Sequence, residues 1–184
     1  MKNNLLLLLF ATVVLFSVSC KTRSGKPRLL VFSKTAGFRH SSIPNGKAAI
    51  MKMGVDKGYI VDTTEDANYF TEDSLKNYSA VIFLHTTGDF LDMYQEADFE
   101  RYIQSGGSFV GIHAAADAEY DWSWYGSLVG GYFESHPEQQ DAVLQVLDQS
   151  HISTKHLPKE WKRKDEWYNF KKLNPDVKVL IKIV

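Results

Sequence analysis

The sequence predicts a doubly wound α/β domain with a mostly parallel sheet, and three observations carry that expectation. Arg28–Lys34 (RLLVFSK), Ala80–His85 (AVIFLH) and Ser108–His113 (SFVGIH) are short apolar runs rich in β-branched residues, the pattern of strands buried on both faces. Stretches of helical periodicity separate them, giving the βαβ alternation of a parallel sheet. The segment Gly106–Asp117 reads as a buried strand that stops in a tight Gly-Ile-His turn and restarts as a small-residue helix. Strand-turn-helix segments of this kind raise one reactive side chain above the end of a sheet.

Taken in order, residues 1–19 have the makeup of a signal peptide: Lys2 gives a positive start, Leu5–Phe16 an apolar run and Ser17–Ser19 a small-residue exit. The run is short for a bilayer span. Cys20, the only cysteine, falls at the cleavage junction, so it is expected to be lipidated; plain secretion is the alternative. Residues 20–27 form a short basic tether. Signals for surface export carry acidic residues just after the cysteine, which this chain lacks. The expectation is therefore an exported, membrane-anchored lipoprotein facing the periplasm. Lys2 is the only charged residue ahead of Cys20, so the mature part keeps all 22 acidic residues and all but one of the 21 Lys and Arg. That balance argues against nucleic acid as a partner.

Residues 28–184 then make one domain. After the first strand, Pro44–Lys57 is helical, with Ser41 and Ser42 as capping candidates. Tyr59–Asp62 is a weaker strand, and Asp92–Gln104 a helix with apolar positions near the 3.6-residue period. Ala142–Leu147 alternates like a half-exposed strand, and His151–Lys172 is a polar, aromatic-rich excursion expected to be loop plus helix. Val177–Val184 (VKVLIKIV) reads as a strand. A strand at the last residue closes a sheet edge or marks a domain truncated at its C-terminus, and truncation is the expectation adopted.

Histidines follow the predicted strands. His40 lies in the loop after the first, His85 ends the third and His113 ends the next, while His136 sits on a loop able to reach the same edge. Ligands of open parallel sheets bind at the carboxyl ends of the strands. A cluster of neutral imidazoles with an open position suits zinc or another divalent metal, with His40, His113 and His136 as ligands. One imidazole alone serves as a general base. Asp117, four residues after His113, would orient that ring from the same helical face. His85 is read as a strand-ending residue bonded to a loop carbonyl, and His151 and His156 as loop residues. Asp165-Glu166-Trp167-Tyr168 pairs carboxylates with aromatic rings, the makeup of a sugar site or of an amphipathic helix. Trp122 and Trp124 either wall the same crevice or cover the core. No Gly-x-Gly-x-x-Gly or Gly-Lys-Ser/Thr segment is present, so no nucleotide cofactor is expected. A Gly-x-Ser-x-Gly elbow is also lacking.

Four segments together, Lys34–Ile43 (KTAGFRHSSI), Gly111–Asp117 (GIHAAAD), Ser153–Pro158 (STKHLP) and Asp165–Tyr168 (DEWY), resemble the ThuA-like, or trehalose utilization, family in the right order. The resemblance implies a class I glutamine amidotransferase-like fold, a flavodoxin-like three-layer sandwich. Where that fold elsewhere carries a nucleophilic cysteine, this chain has His113. The family is associated with disaccharide use beside sugar oxidoreductases acting on 3-keto sugars, and some members are labelled secreted glycosyl hydrolases. It implies a carbohydrate substrate and, carried over by motif, a site of His40, His113, His136 and the Asp165-Glu166 pair. Joined to the reading of the residues, this makes His113, Glu166 and Asp117 the catalytic candidates and Trp167, Tyr168, Trp122, Trp124 and Asp165 the sugar-binding ones. Ile152 stands where a proline is expected after His151.

Overall fold

The computed structural model describes residues 25–184, so the signal segment, Cys20 and the tether through Ser24 lie outside the described residues. Strands β1 (Arg28–Phe32), β2 (Ile60–Thr64), β3 (Ala80–Leu84) and β4 (Ser108–Ile112) form one sheet in the order β2-β1-β3-β4. All its pairings are parallel. This is the flavodoxin-like strand order, in which winding reverses between β1 and β3.

Side chains alternate across the central strands, and that alternation builds two cores. Leu30, Phe32, Val81 and Phe83 enter the larger one, and Val31, Ile82 and Leu84 the smaller. Three helices, α2 (Glu72–Leu75), α3 (Met93–Gln104) and α4 (Ser123–Val129), supply Leu75, Phe99 and Tyr125 to the first. Helix α1 (Ile43–Asp56) lays Ile50 on the second. The rings of Phe83 and Phe99 stack with centroids 5.4 Å apart, and Phe32 meets Phe70 edge-on at 4.6 Å. Helix α3 starts where the sequence says it should. The Asp92 carboxylate accepts from the amides of Tyr94 and Gln95, and the Gln95 side chain accepts from the Asp92 amide, a reciprocal cap.

The loops at the carboxyl ends of β1, β3 and β4 are tied together by backbone. Thr35 bridges Thr87, and Gly88 bridges Ala118. Gly88 has φ +73°, and a Cβ there would lie 2.8 Å from the Gly37 amide, so only glycine lets these loops cross so closely.

Several expectations change. Residues 113–117 are successive tight turns and not a helix: the Ala115 amide donates to Ile112 and the Asp117 amide to Ala114, while the Asp117 carbonyl accepts from Gly88. The polar excursion contains no helix. It forms β7 (Glu160–Asp165) and β8 (Asn169–Lys171), which pair antiparallel with β6 (Gln140–Val146) and β5 (Tyr132–Ser135). The sequence of β7, EWKRKD, carries almost no apolar signal. Its strand state is set by pairing with β6 and not by burial. The final strand is shorter than expected, β9 (Ile181–Ile183), and pairs with the other side of β6. No helix among the described residues is long and apolar enough to cross a membrane.

Candidate active site

The loop ties place three imidazoles together beyond β1, β3 and β4. The ring of His40 stacks on His85 with centroids 4.8 Å apart and meets His113 edge-on at 4.9 Å. His85 has φ 56°, a left-handed backbone that a residue with a side chain adopts only when its surroundings hold it there. Its Nε2 lies 3.1 Å from Ser42 Oγ. Ser42 therefore sits at the N-cap of α1 without capping it, because its hydroxyl is turned to the histidine. His85, read from sequence as a strand-ending residue, belongs to the cluster. The signal was its place: it ends β3 as His113 ends the adjacent β4.

The second half of the site comes from Glu166–Tyr168, the link between β7 and β8. Glu166 Oε2 lies 3.2 Å from His113 Nε2, and Oε1 lies 3.4 Å from His136 Nε2. The Tyr168 hydroxyl is 3.4 Å from His113 Nε2, and His40 Nε2 is 3.2 Å from it. One ring nitrogen thus faces an imidazole, a carboxylate and a phenol. It carries either one proton or one lone pair, so it cannot satisfy all three neighbours at once.

Electrostatics separate the histidines. Burial, then the neighbouring His113, pushes His40 below the ordinary imidazole pKa, partly offset by Glu166 and Asp117. Burial, then His40 and His113, does the same to His85. Both are held neutral near pH 7. His40 Nδ1 is sealed from solvent without a hydrogen-bond partner. Burial and the nearby Glu166 and Asp117 charges raise the Tyr168 pKa, so its hydroxyl keeps its proton.

The remaining candidates divide. Asp117 does not share a helical face with His113; its carboxylate accepts from the Tyr120 hydroxyl at 2.5 Å. The Asp165 carboxylate accepts from the Glu166 amide and pairs with Arg163, so it shapes the turn. Trp167 is half-buried, its indole N–H donating to the Gln140 carbonyl at 2.8 Å. Trp122 and Trp124 do not wall the crevice. They pack on the larger core, each edge-on to Phe99, with their indoles stacked 5.1 Å apart at the start of α4. His151 caps a local turn through Ser153.

His40, His113 and His136 do not converge on one point. Among the described residues, no set of three donors that includes them has every donor atom within 4.8 Å of every other. His136 is drawn aside by Glu166 and by its own contact with the Pro137 carbonyl. Of these three, only His40 and His113 bring their nitrogens together, at 3.2 Å, and the carboxylate beside His113 is that of Glu166.

His113 and Glu166 form the wall between two cavities. One, about 380 Å³, is lined by Trp167, Tyr168, Phe170 and the Gly111–Ala116 turn. The other, about 490 Å³, is lined by His40, Ser41, Ser42 and His85. Both volumes lie in the range that holds small-molecule ligands.

Fold and site together define a flavodoxin-like α/β protein with a histidine–carboxylate crevice at the carboxyl edge of its sheet. The chain belongs to the ThuA family, described as trehalose utilisation, whose model matches residues 28–184. Two solved structures share the fold. One is a ThuA-like protein from Bacteroides uniformis, at 24% identity and TM-score 0.75, covering 90% of this chain and 71% of that one. The other, from Parabacteroides merdae, has 19% identity and TM-score 0.71, with 86% and 68% covered. Among curated proteins none matches the chain significantly.

Proposed function

We propose that this chain is a carbohydrate-processing enzyme acting on a disaccharide or its 3-keto derivative by acid–base chemistry, with His113 as the group that moves the proton. The observation that carries this reading is the position of His113 Nε2, within 3.4 Å of His40, Glu166 and Tyr168 and at the wall between two cavities. An imidazole beside a carboxylate is suited to taking and returning a proton near neutral pH. Glu166 stabilises the imidazolium that forms. Tyr168 supplies a donor to a sugar oxygen, and Trp167 and Phe170 give an apolar face for a pyranose ring.

The sugar assignment rests on the family's description and on these aromatic walls. A chain of contacts, His40–His113–Glu166–His136, supports proton transfer better than a caged metal, so the zinc reading is the weaker of the two. Attachment through a lipidated Cys20 at a periplasm-facing membrane, and a sugar oxidoreductase supplying the keto substrate, belong to the same proposal.

The test follows trehalose and its 3-keto derivative by nuclear magnetic resonance in the presence of the purified protein. Conversion by wild type and its loss by about 10²-fold or more in His113→Asn is the expected result. Binding of either sugar without conversion makes the protein a sugar-binding module, and conversion by His113→Asn at the wild-type rate removes His113 from the chemistry.

A further inference from the structure

A second polar cluster lies beside the larger core and shares no residue with the histidine site. Glu119 is 1% exposed, an unusual place for a carboxylate. Its Oε1 accepts from the amides of Phe90 and Leu91 at 3.1 and 3.0 Å. Its Oε2 is sealed from solvent and meets no donor. Glu119 also has φ 51°, so its neighbours hold its backbone in the left-handed region.

What Glu119 meets instead is more negative charge. Asp89, Glu96 and Glu119 each bring a carboxylate oxygen to within 4.8 Å of the others. Asp89 is exposed, Glu96 half-buried and Glu119 buried, so the cluster runs from the surface inward. Desolvation, then Asp89, raises the Glu119 pKa to about 8. Burial, then Asp89 and Asp92, raises that of Glu96. One shared proton would neutralise one carboxylate of the three and leave two facing each other. A cation relieves all three.

We propose that Asp89, Glu96 and Glu119 form a binding site for a hard divalent cation of the calcium type. Oxygen-only donors select calcium or magnesium over zinc, and three carboxylates around one point favour calcium, since magnesium is usually held by one or two and keeps its waters. Water on the exposed Asp89 side completes the coordination. The site ties the loop after β3, which begins with His85, to the segment after β4, which begins with His113. A bound cation thus fastens the two loops that carry the imidazoles. The proposal stands apart from the carbohydrate reading and is tested without any sugar.

Wild-type protein is stripped with a chelator, dialysed and titrated with calcium chloride, with binding read by calorimetry and stability by thermal unfolding. The expected result is saturable heat and a melting temperature that climbs with the logarithm of calcium concentration. Asp89→Asn and Glu96→Gln should fold, by circular dichroism, and lose that climb. Glu119→Gln keeps an oxygen for the Phe90 and Leu91 amides, so it should fold, melt higher than chelated wild type and no longer respond to calcium. Wild type giving neither heat nor a melting shift with calcium, magnesium or manganese overturns the proposal in favour of a shared proton. Variants that respond as wild type does overturn it as well, because binding would then lie elsewhere.

Discussion

His113 gains its importance from neighbours that no local spacing announces. His40, Glu166 and Tyr168 are all far from it in sequence. His40 reaches its nitrogen because the loops after β1, β3 and β4 cross beside Gly88, and Glu166 and Tyr168 reach it from the link between β7 and β8. The individual candidates were legible as polar or aromatic residues following strands. Their partnerships were not, because two ring nitrogens 3.2 Å apart depend on loop closure and not on composition. His85 shows the limit most plainly: a histidine ending a strand reads as a loop-bonding residue until the stacking on His40 is seen. Asp117 shows the converse, since its four-residue spacing from His113 matters only in a helix, and the segment turns instead. Trp167 lines the cavity beside His113 while its indole N–H anchors on Gln140. Trp167→Ala should therefore weaken sugar binding by about tenfold, about 1.4 kcal/mol, with the circular dichroism spectrum unchanged. Unfolding of this variant, or unaltered affinity by titration, would contradict its role as a sugar platform.

At the scale of elements, the parallel sheet was legible because its central strands are apolar on both faces, a pattern that burial dictates. Helix α3 was equally legible through its apolar period, and the structure adds the Asp92 cap. Asp92→Ala should cost about 1 kcal/mol in denaturant unfolding, the usual loss when a capping side chain is removed; no change would mean the cap is not formed in solution. The antiparallel strands β7 and β8 were hidden because their charged residues form strands by pairing with β6 and β5. Helix α4 illustrates an ambiguity that sequence leaves open, aromatics that either wall a crevice or cover a core. The stacking of Trp122 on Tyr125, and the approach of both tryptophans to Phe99, assigns them to the core. Trp122→Ala should destabilise the fold toward about 3 kcal/mol, the lower end for truncating a packed tryptophan, while leaving sugar affinity in the surviving folded protein unchanged.

For the molecule as a whole, the depressed histidines set a dependence of stability on pH. The folded-state pKa values of His40 and His85 lie below the ordinary value of 6.5. Between those folded values and about 6.5 the unfolded chain binds more protons, so this contribution is present above about 6.5 and is lost as pH falls. The contribution is read as a difference between proteins: the melting temperature of His85→Phe minus that of wild type should grow on acidification from pH ~7 to pH ~5. Glu65, held at about 2 by Arg39 and Lys47, acts only at lower pH, whereas Glu119, raised to about 8, and Glu96, also raised, oppose the histidines within this range and cancel in the comparison of the two proteins. A difference between His85→Phe and wild type that stays constant or shrinks as the pH falls over this range would contradict the buried, neutral assignment. The central claim, that His113 and Glu166 move a proton on a bound sugar, is tested most directly by Glu166→Gln, which keeps shape and hydrogen bonding but removes the charge. With a sugar that wild type converts, kcat should fall by about 10²–10⁴ while the dissociation constant, from Trp167 fluorescence, stays within about threefold. A kcat equal to that of wild type in this variant would contradict the account.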